Sequence, residues 1–128
     1  MMPTTQKRIL IVDDHDDTRQ VTAIALRRHG YTVSAAGTKS EALALCQHEE
    51  FDLLIGDLHL PDGNGLDLMR ELAAKCKIAG IAFTGYGRAE DVAAARAAGY
   101  SAHLLKPASF NVLIETIERI LAETRNAV

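Results

Sequence analysis

Two rhythms of apolar and polar residues alternate along the chain. Short apolar runs stand at residues 9–12, 53–56 and 78–83, each followed by a polar residue. Runs of that length read as strands buried on both faces. The first strand is expected at 8–12, the third at 53–56 and the fourth at 78–83. Two further strands are weaker. One spans 31–36, opened by Tyr31 and the β-branched Thr32 and Val33; the other is short, 103–105. Between the strands the period changes to that of a helix. Residues 17–29 carry a stripe of Val21, Ile24, Ala25 and Leu26, closed by Gly30. Thr38 and Glu41 form a T-x-x-E capping box that opens a helix running to about residue 49. "LPDGNGLDLM" reads as a turn followed by a helix over 66–74. An alanine-rich helix over 88–98 ends at Gly99. Ser109 caps a last helix with Phe110, Leu113, Ile117, Ile120 and Leu121 on one face.

Strands that alternate with helices, and are themselves wholly apolar, predict an α/β fold with a parallel sheet covered on both faces. Crossovers in such sheets are right-handed, and their sites lie at the carboxyl ends of the strands. That rule brings distant residues together. Asp13 and Asp14 follow strand one, Asp57 follows strand three, Thr84 follows strand four and Lys106 follows strand five. Three carboxylates, a hydroxyl and an ammonium then share one edge. Carboxylates this close need a cation, and hard oxygen ligands without sulfur favour Mg²⁺. Lys106 and Thr84 suit phosphoryl oxygens, and an aspartate can be the nucleophile that forms an acyl phosphate. The residue types alone therefore predict an Mg²⁺-dependent aspartyl-phosphate site. Each residue also has a plain structural reading. Asp13 and Asp14 can start a helix, Asp57 can belong to a turn, Thr84 can open the "TGYG" loop, and Lys106 can be solvated. Asp16 and Asp17 are expected to cap helix one. Four strand ends carrying the right types together make coincidence a poor explanation.

Composition narrows the setting. With 128 residues, 48% apolar and 24% charged, the chain suits one domain with one packed core. The core is expected within 7–123, with frayed ends at 1–6 and 124–128. A net charge of −3 gives no reason to expect direct nucleic-acid binding. No apolar run approaches the roughly 18 residues of a membrane span, and "MMPTTQK" lacks the apolar region of a secretory signal. A cytoplasmic protein is expected, with Cys46 and Cys76 as reduced thiols lacking metal or redox spacing.

The strings "ILIVDDHDDT", "LLIGDLHLPDGNG", "IAFTGYG" and "AHLLKPAS" resemble the response-regulator (CheY-like) receiver domains of two-component signalling over about 7–123. The resemblance implies a flavodoxin-like sheet of order 2-1-3-4-5. It implies Asp57 as phosphoacceptor, with Asp14 a direct Mg²⁺ ligand and Asp13 holding the ion through water. The backbone carbonyl of His59 would be a further ligand. Thr84 and Lys106 would grip the phosphoryl group and drive a switch of the face made by helix four, strand five and helix five. The donor would be phosphohistidine on a histidine kinase or histidine phosphotransfer domain. The receiver would catalyse its own phosphorylation and dephosphorylation rather than act as a multiple-turnover enzyme. His59 and Tyr86, two residues after Asp57 and Thr84, would tune hydrolysis. The pattern departs at His103, where the family has Tyr or Phe, which puts the usual coupling of hydroxyl and ring in question. "TGYG" and "AHLLKPAS" look most like receivers attached to hybrid histidine kinases. Homodimerisation through helix five is open but not predicted.

Three rivals remain at this stage. Residues 14–18 fit the D-x-D-x-T string of haloacid-dehalogenase-type phosphatases, with Asp14 as nucleophile and Asp16 as acid, but no aspartate after Asp91 supplies that family's later metal motif. His15 and His59 border the carboxylates and raise a transition-metal site, although both are expected to face solvent. An inert docking module conflicts with the complete set of acids and lysine.

Overall fold

A computed structural model describes residues 7–85 and 87–126, with side chains as far as residue 123. The elements run β1 (Arg8–Val12), α1 (Asp16–Arg28), β2 (Thr32–Ala36), α2 (Lys39–His48), β3 (Leu53–Gly56), β4 (His59–Leu60), β5 (Gly63–Asn64), α3 (Gly65–Lys75), β6 (Ala79–Thr84), α4 (Ala89–Ala98), β7 (Ala102–Leu105) and α5 (Phe110–Asn126). The main sheet has order β2-β1-β3-β6-β7 and every pairing in it is parallel. β6 and β7 are the fourth and fifth strands expected from the sequence, so the order is the expected 2-1-3-4-5. The fold is the flavodoxin-like, doubly wound α/β arrangement.

Alternation along the strands builds two cores. Leu10, Val12, Leu54 and Ala82 point to one face and pack with Ala42 of α2, Leu68, Met69 and Leu72 of α3, and Ala95 and Ala98 of α4. Ile9, Ile11, Leu53, Ile55, Ile81 and Phe83 point to the other, against Ala23 and Leu26 of α1 and Leu113, Ile114, Ile117, Ile120 and Leu121 of α5. Burying each such aliphatic side chain contributes roughly 1.5–3 kcal/mol, which accounts for runs apolar on both faces.

Several expectations need correction. β4 and β5 form a two-residue antiparallel ladder inside what reads as a plain turn, and Asn64 then caps α3 by accepting the Asp67 N–H at 2.8 Å. α1 is phased differently from its apolar stripe: Ala23 and Leu26 are buried, whereas Val21 is 67% and Ile24 49% exposed. Asp16 and Asp17 lie in the first turn of α1 and His15 is the N-cap, so the acids do not cap the helix. Phe110 is also partly exposed, off the buried face of α5. α5 continues to Asn126, beyond the expected end of the core at 123, while the rest of the ends expected to fray lies outside the described residues.

Glycine spacing brings α3 against the site. A Cβ on Gly65 would overlap the carbonyl oxygen of Asp57, so only glycine lets the first turn of α3 close on that backbone. Tyr100 fills the space beside it. Its ring is buried, a Cβ at Gly56 would lie 2.6 Å from its hydroxyl oxygen, and that hydroxyl donates to the Gly65 carbonyl at 2.8 Å.

Candidate functional site

Parallel pairing aligns the strand ends. The Asp13 N–H donates to the Ala36 carbonyl at 3.0 Å, that of Asp57 to Val12 at 2.9 Å, and that of Lys106 to Thr84 at 2.8 Å. These ladder bonds hold Asp13, Asp57, Thr84 and Lys106 at one edge. Asp13 and Asp57 are buried carboxylates, 3% and 4% exposed, and Thr84 is fully buried.

Lys106 joins the two buried acids. Its Nζ donates to Asp13 Oδ2 at 2.5 Å and to Asp57 Oδ2 at 3.0 Å. Burial alone would lower the pKa of this ammonium, but hydrogen bonds to Asp13 and Asp57 outweigh that and raise it. The second oxygen of Asp57 accepts the His59 N–H at 3.2 Å. Arg19 donates to the Asp13 carbonyl at 2.8 Å and pairs with Asp16 at 2.6 Å, which ties the loop to α1.

Asp14 sits on the rim, and with Asp13 and Asp57 it completes three carboxylates around one point. One ammonium against three carboxylates leaves two negative charges uncompensated, in a cluster whose ligand atoms lie within 4.8 Å of one another. All three acids are hard oxygen donors, which suits Mg²⁺ and leaves room for its waters. Above them opens a cleft of about 720 Å³ lined by Asp14, His15, Thr18, Asp57, His59, Gly85 and Lys106.

Sequence reasoning therefore finds Asp13, Asp14, Asp57, Thr84, Lys106 and His59 in or beside one cleft. His15 borders the acids and is largely exposed, as expected, but its Nδ1 also reaches Asp13 and Asp14, which the sequence does not show. Tyr86 lies outside the described residues. His103 is on β7 opposite Ala82, and its Nε2 is buried with no hydrogen-bond partner among the described residues. The dehalogenase-type reading is not favoured. Asp16 is an exposed partner of Arg19, and the lysine-bridged acids are Asp13 and Asp57 rather than Asp14.

Comparison with known proteins agrees with this arrangement. Residues 9–118 match the family model described as the response regulator receiver domain. The chain is 35% identical over 120 residues to the transcriptional regulatory protein PdtaR of Mycobacterium tuberculosis, covering 93% of this chain and 58% of that protein. It is 33% identical over 116 residues to the CAI-1 autoinducer sensor kinase/phosphatase CqsS of Vibrio cholerae, covering 88% of this chain but only 17% of that one. A response regulator receiver domain protein (CheY-like) from Methanospirillum hungatei superimposes with a TM-score of 0.91 at 34% identity, covering 97% of this chain and all of that one.

Proposed function

The chain belongs to the response regulator receiver family of two-component signalling, and from that premise we propose that it accepts a phosphoryl group from phosphohistidine onto Asp57. The observation that carries this reading is the Lys106 bridge between Asp13 and Asp57 at the mouth of the acidic cleft. A carboxylate oxygen of Asp57 forms a bond to phosphorus as the phosphorus–nitrogen bond breaks. The bonding pair leaves with the imidazole, which takes a proton from solvent, and the product is an acyl phosphate. Asp13, Asp14, Asp57 and the His59 backbone carbonyl would hold Mg²⁺, which when bound supplies positive charge to the phosphoryl oxygens. Lys106 and the Thr84 hydroxyl bind the phosphoryl oxygens that remain. In the hydrolytic step water attacks phosphorus, the phosphorus–oxygen bond to Asp57 breaks and inorganic phosphate leaves, with His59 and Tyr86 governing access of the water. The domain thus catalyses its own phosphorylation and dephosphorylation, with the receiver core in 7–123.

Occupation of Asp57 draws Thr84 inward, His103 responds, and the face of α4, β7 and α5 changes. The partner is a histidine kinase or histidine phosphotransfer domain. The likeness to CqsS, a sensor kinase, favours attachment to or exchange with a hybrid kinase. Among the described residues no helix is long and apolar enough to cross a membrane. Incubation with acetyl phosphate and Mg²⁺ tests the proposal. Wild type is expected to incorporate acid- and base-labile phosphate, and Asp57→Asn none; equal labelling of the two would refute it. In the same assay Tyr86→Ala is expected to shorten the phosphoryl lifetime, and an unchanged lifetime removes Tyr86 from the account.

A further inference from the structure

His15 has no use in the mechanism above, yet its position is specific. As N-cap of α1 it has extended backbone, φ −84° and ψ 107°, and its side chain makes no cap bond to the helix. The ring instead turns back over the acids. Nδ1 lies 3.0 Å from Asp13 Oδ1, 3.3 Å from Asp14 Oδ1 and 3.8 Å from Asp57 Oδ2. A single hydrogen bond would account for the first distance but not for convergence on three carboxylates.

Two ligands each about 2.1 Å from one ion stand about 3.0 Å apart at an octahedral angle and about 3.4 Å apart at a tetrahedral one. The His15–Asp13 and His15–Asp14 separations already have these values, and that to Asp57 needs only a small closure. Lys106 takes Asp13 Oδ2 and Asp57 Oδ2, and Asp13 Oδ1, which accepts the His15 backbone N–H at 2.9 Å, is turned toward the imidazole. With the proton on Nε2, Nδ1 offers a lone pair to the same point as the carboxylate oxygens.

We propose that His15 is a further protein ligand in the acidic site and turns it toward divalent metals that accept nitrogen, such as Co²⁺, Ni²⁺ or Zn²⁺. This rests on the cation-site reading above and adds to it. Mg²⁺ prefers oxygen ligands and keeps its waters, so an imidazole adds little to its binding. Metals later in the first transition row gain from imidazole and bind more tightly. The site therefore holds Mg²⁺ through oxygen ligands alone, and holds later metals through those oxygens and His15 together.

The test compares Mg²⁺ and Co²⁺ binding by calorimetry, with the visible spectrum of Co²⁺ as a second readout, in wild type, His15→Ala and Asp14→Asn. Asp14→Asn weakens both ions and assigns them to this site. His15→Ala is expected to weaken Co²⁺ about tenfold or more, to change its spectrum and to leave Mg²⁺ within about twofold. Retained Mg²⁺ binding shows that the variant is folded. An unchanged ratio of Co²⁺ to Mg²⁺ affinity in His15→Ala overturns the proposal while leaving the cation site standing. Failure of the wild type to bind either ion overturns both.

Discussion

At the scale of single residues, the site is a balance of buried polar groups, and His103 is the one out of balance. Asp13 and Asp57 have Lys106, and Asp57 has the His59 N–H as well. The Nε2 of His103 has no such partner among the described residues. A buried polar atom without a hydrogen bond costs about 1–3 kcal/mol. Phenylalanine removes that atom and keeps a flat ring of similar size. His103→Phe is therefore expected to stabilise the fold by about 1 kcal/mol, read as a higher urea midpoint at unchanged slope. A lower midpoint would mean that the imidazole has a partner or that the larger ring does not fit. Which residues lie in the site was legible from the sequence, because parallel strands present whatever follows them at one edge. Asp13, Asp57, Thr84 and Lys106 needed only that rule. The direction of the His15 ring was not legible. It depends on the backbone dihedrals of an N-cap, which neighbouring letters do not specify.

At the scale of elements, the connections between α2, α3 and the site hold the information that periodicity does not carry. Asp62 lies in the turn "PDGNG", where a turn role suffices to explain it. In the structure it also caps a helix more than twenty positions back, accepting the Ser40 N–H at 3.0 Å and the Lys39 N–H at 2.8 Å. Those backbone bonds lower its pKa, the one from Ser40 most. A carboxylate whose folded value is depressed stabilises the fold above its ordinary range and loses that contribution as pH falls through the lowered value. Stability is therefore expected to fall below about pH 4 with a share owed to Asp62, and Asp62→Asn to flatten that acid limb. Chemical denaturation of the two proteins across this range measures the difference, and parallel acid limbs would remove Asp62 from the account. Gly65 makes a second link. A Cβ there would overlap the Asp57 carbonyl, so Gly65→Ala is expected to cost about 1–3 kcal/mol and to slow acetyl phosphate labelling. A variant of unchanged stability and rate would show that α3 can withdraw without moving Asp57. The strands and helices themselves were readable, since apolar runs and capping residues mark them locally. The β4–β5 ladder was not, because two-residue strands have no period to detect.

At the scale of the whole molecule, the misread phase of α1 becomes informative. Val21 and Ile24 look like core in the sequence because they are apolar at helical spacing. Ala23 and Leu26 fill the space under α1 instead, and the two branched side chains face outward. They do not stand alone. Val21, Ile24 and Phe110 line one shallow groove, and Val21 also lines a second, with Phe83, Lys106 and Pro107, at the edge of the acidic cleft. On the proposed function, a protein presenting phosphohistidine to Asp57 would approach over this edge and cover the apolar residues there as it docks. A small phosphodonor needs no such contact. Val21→Asp is therefore expected to slow phosphoryl transfer from a histidine phosphotransfer partner about tenfold or more, a loss of roughly 1.4 kcal/mol in the transition state for transfer. Labelling by acetyl phosphate should stay at the wild-type rate, because Val21 is 67% exposed and its replacement leaves the core intact. Equal slowing with both donors would place the effect in the site rather than in docking. Unchanged transfer from the protein donor would move the docking surface away from α1 altogether.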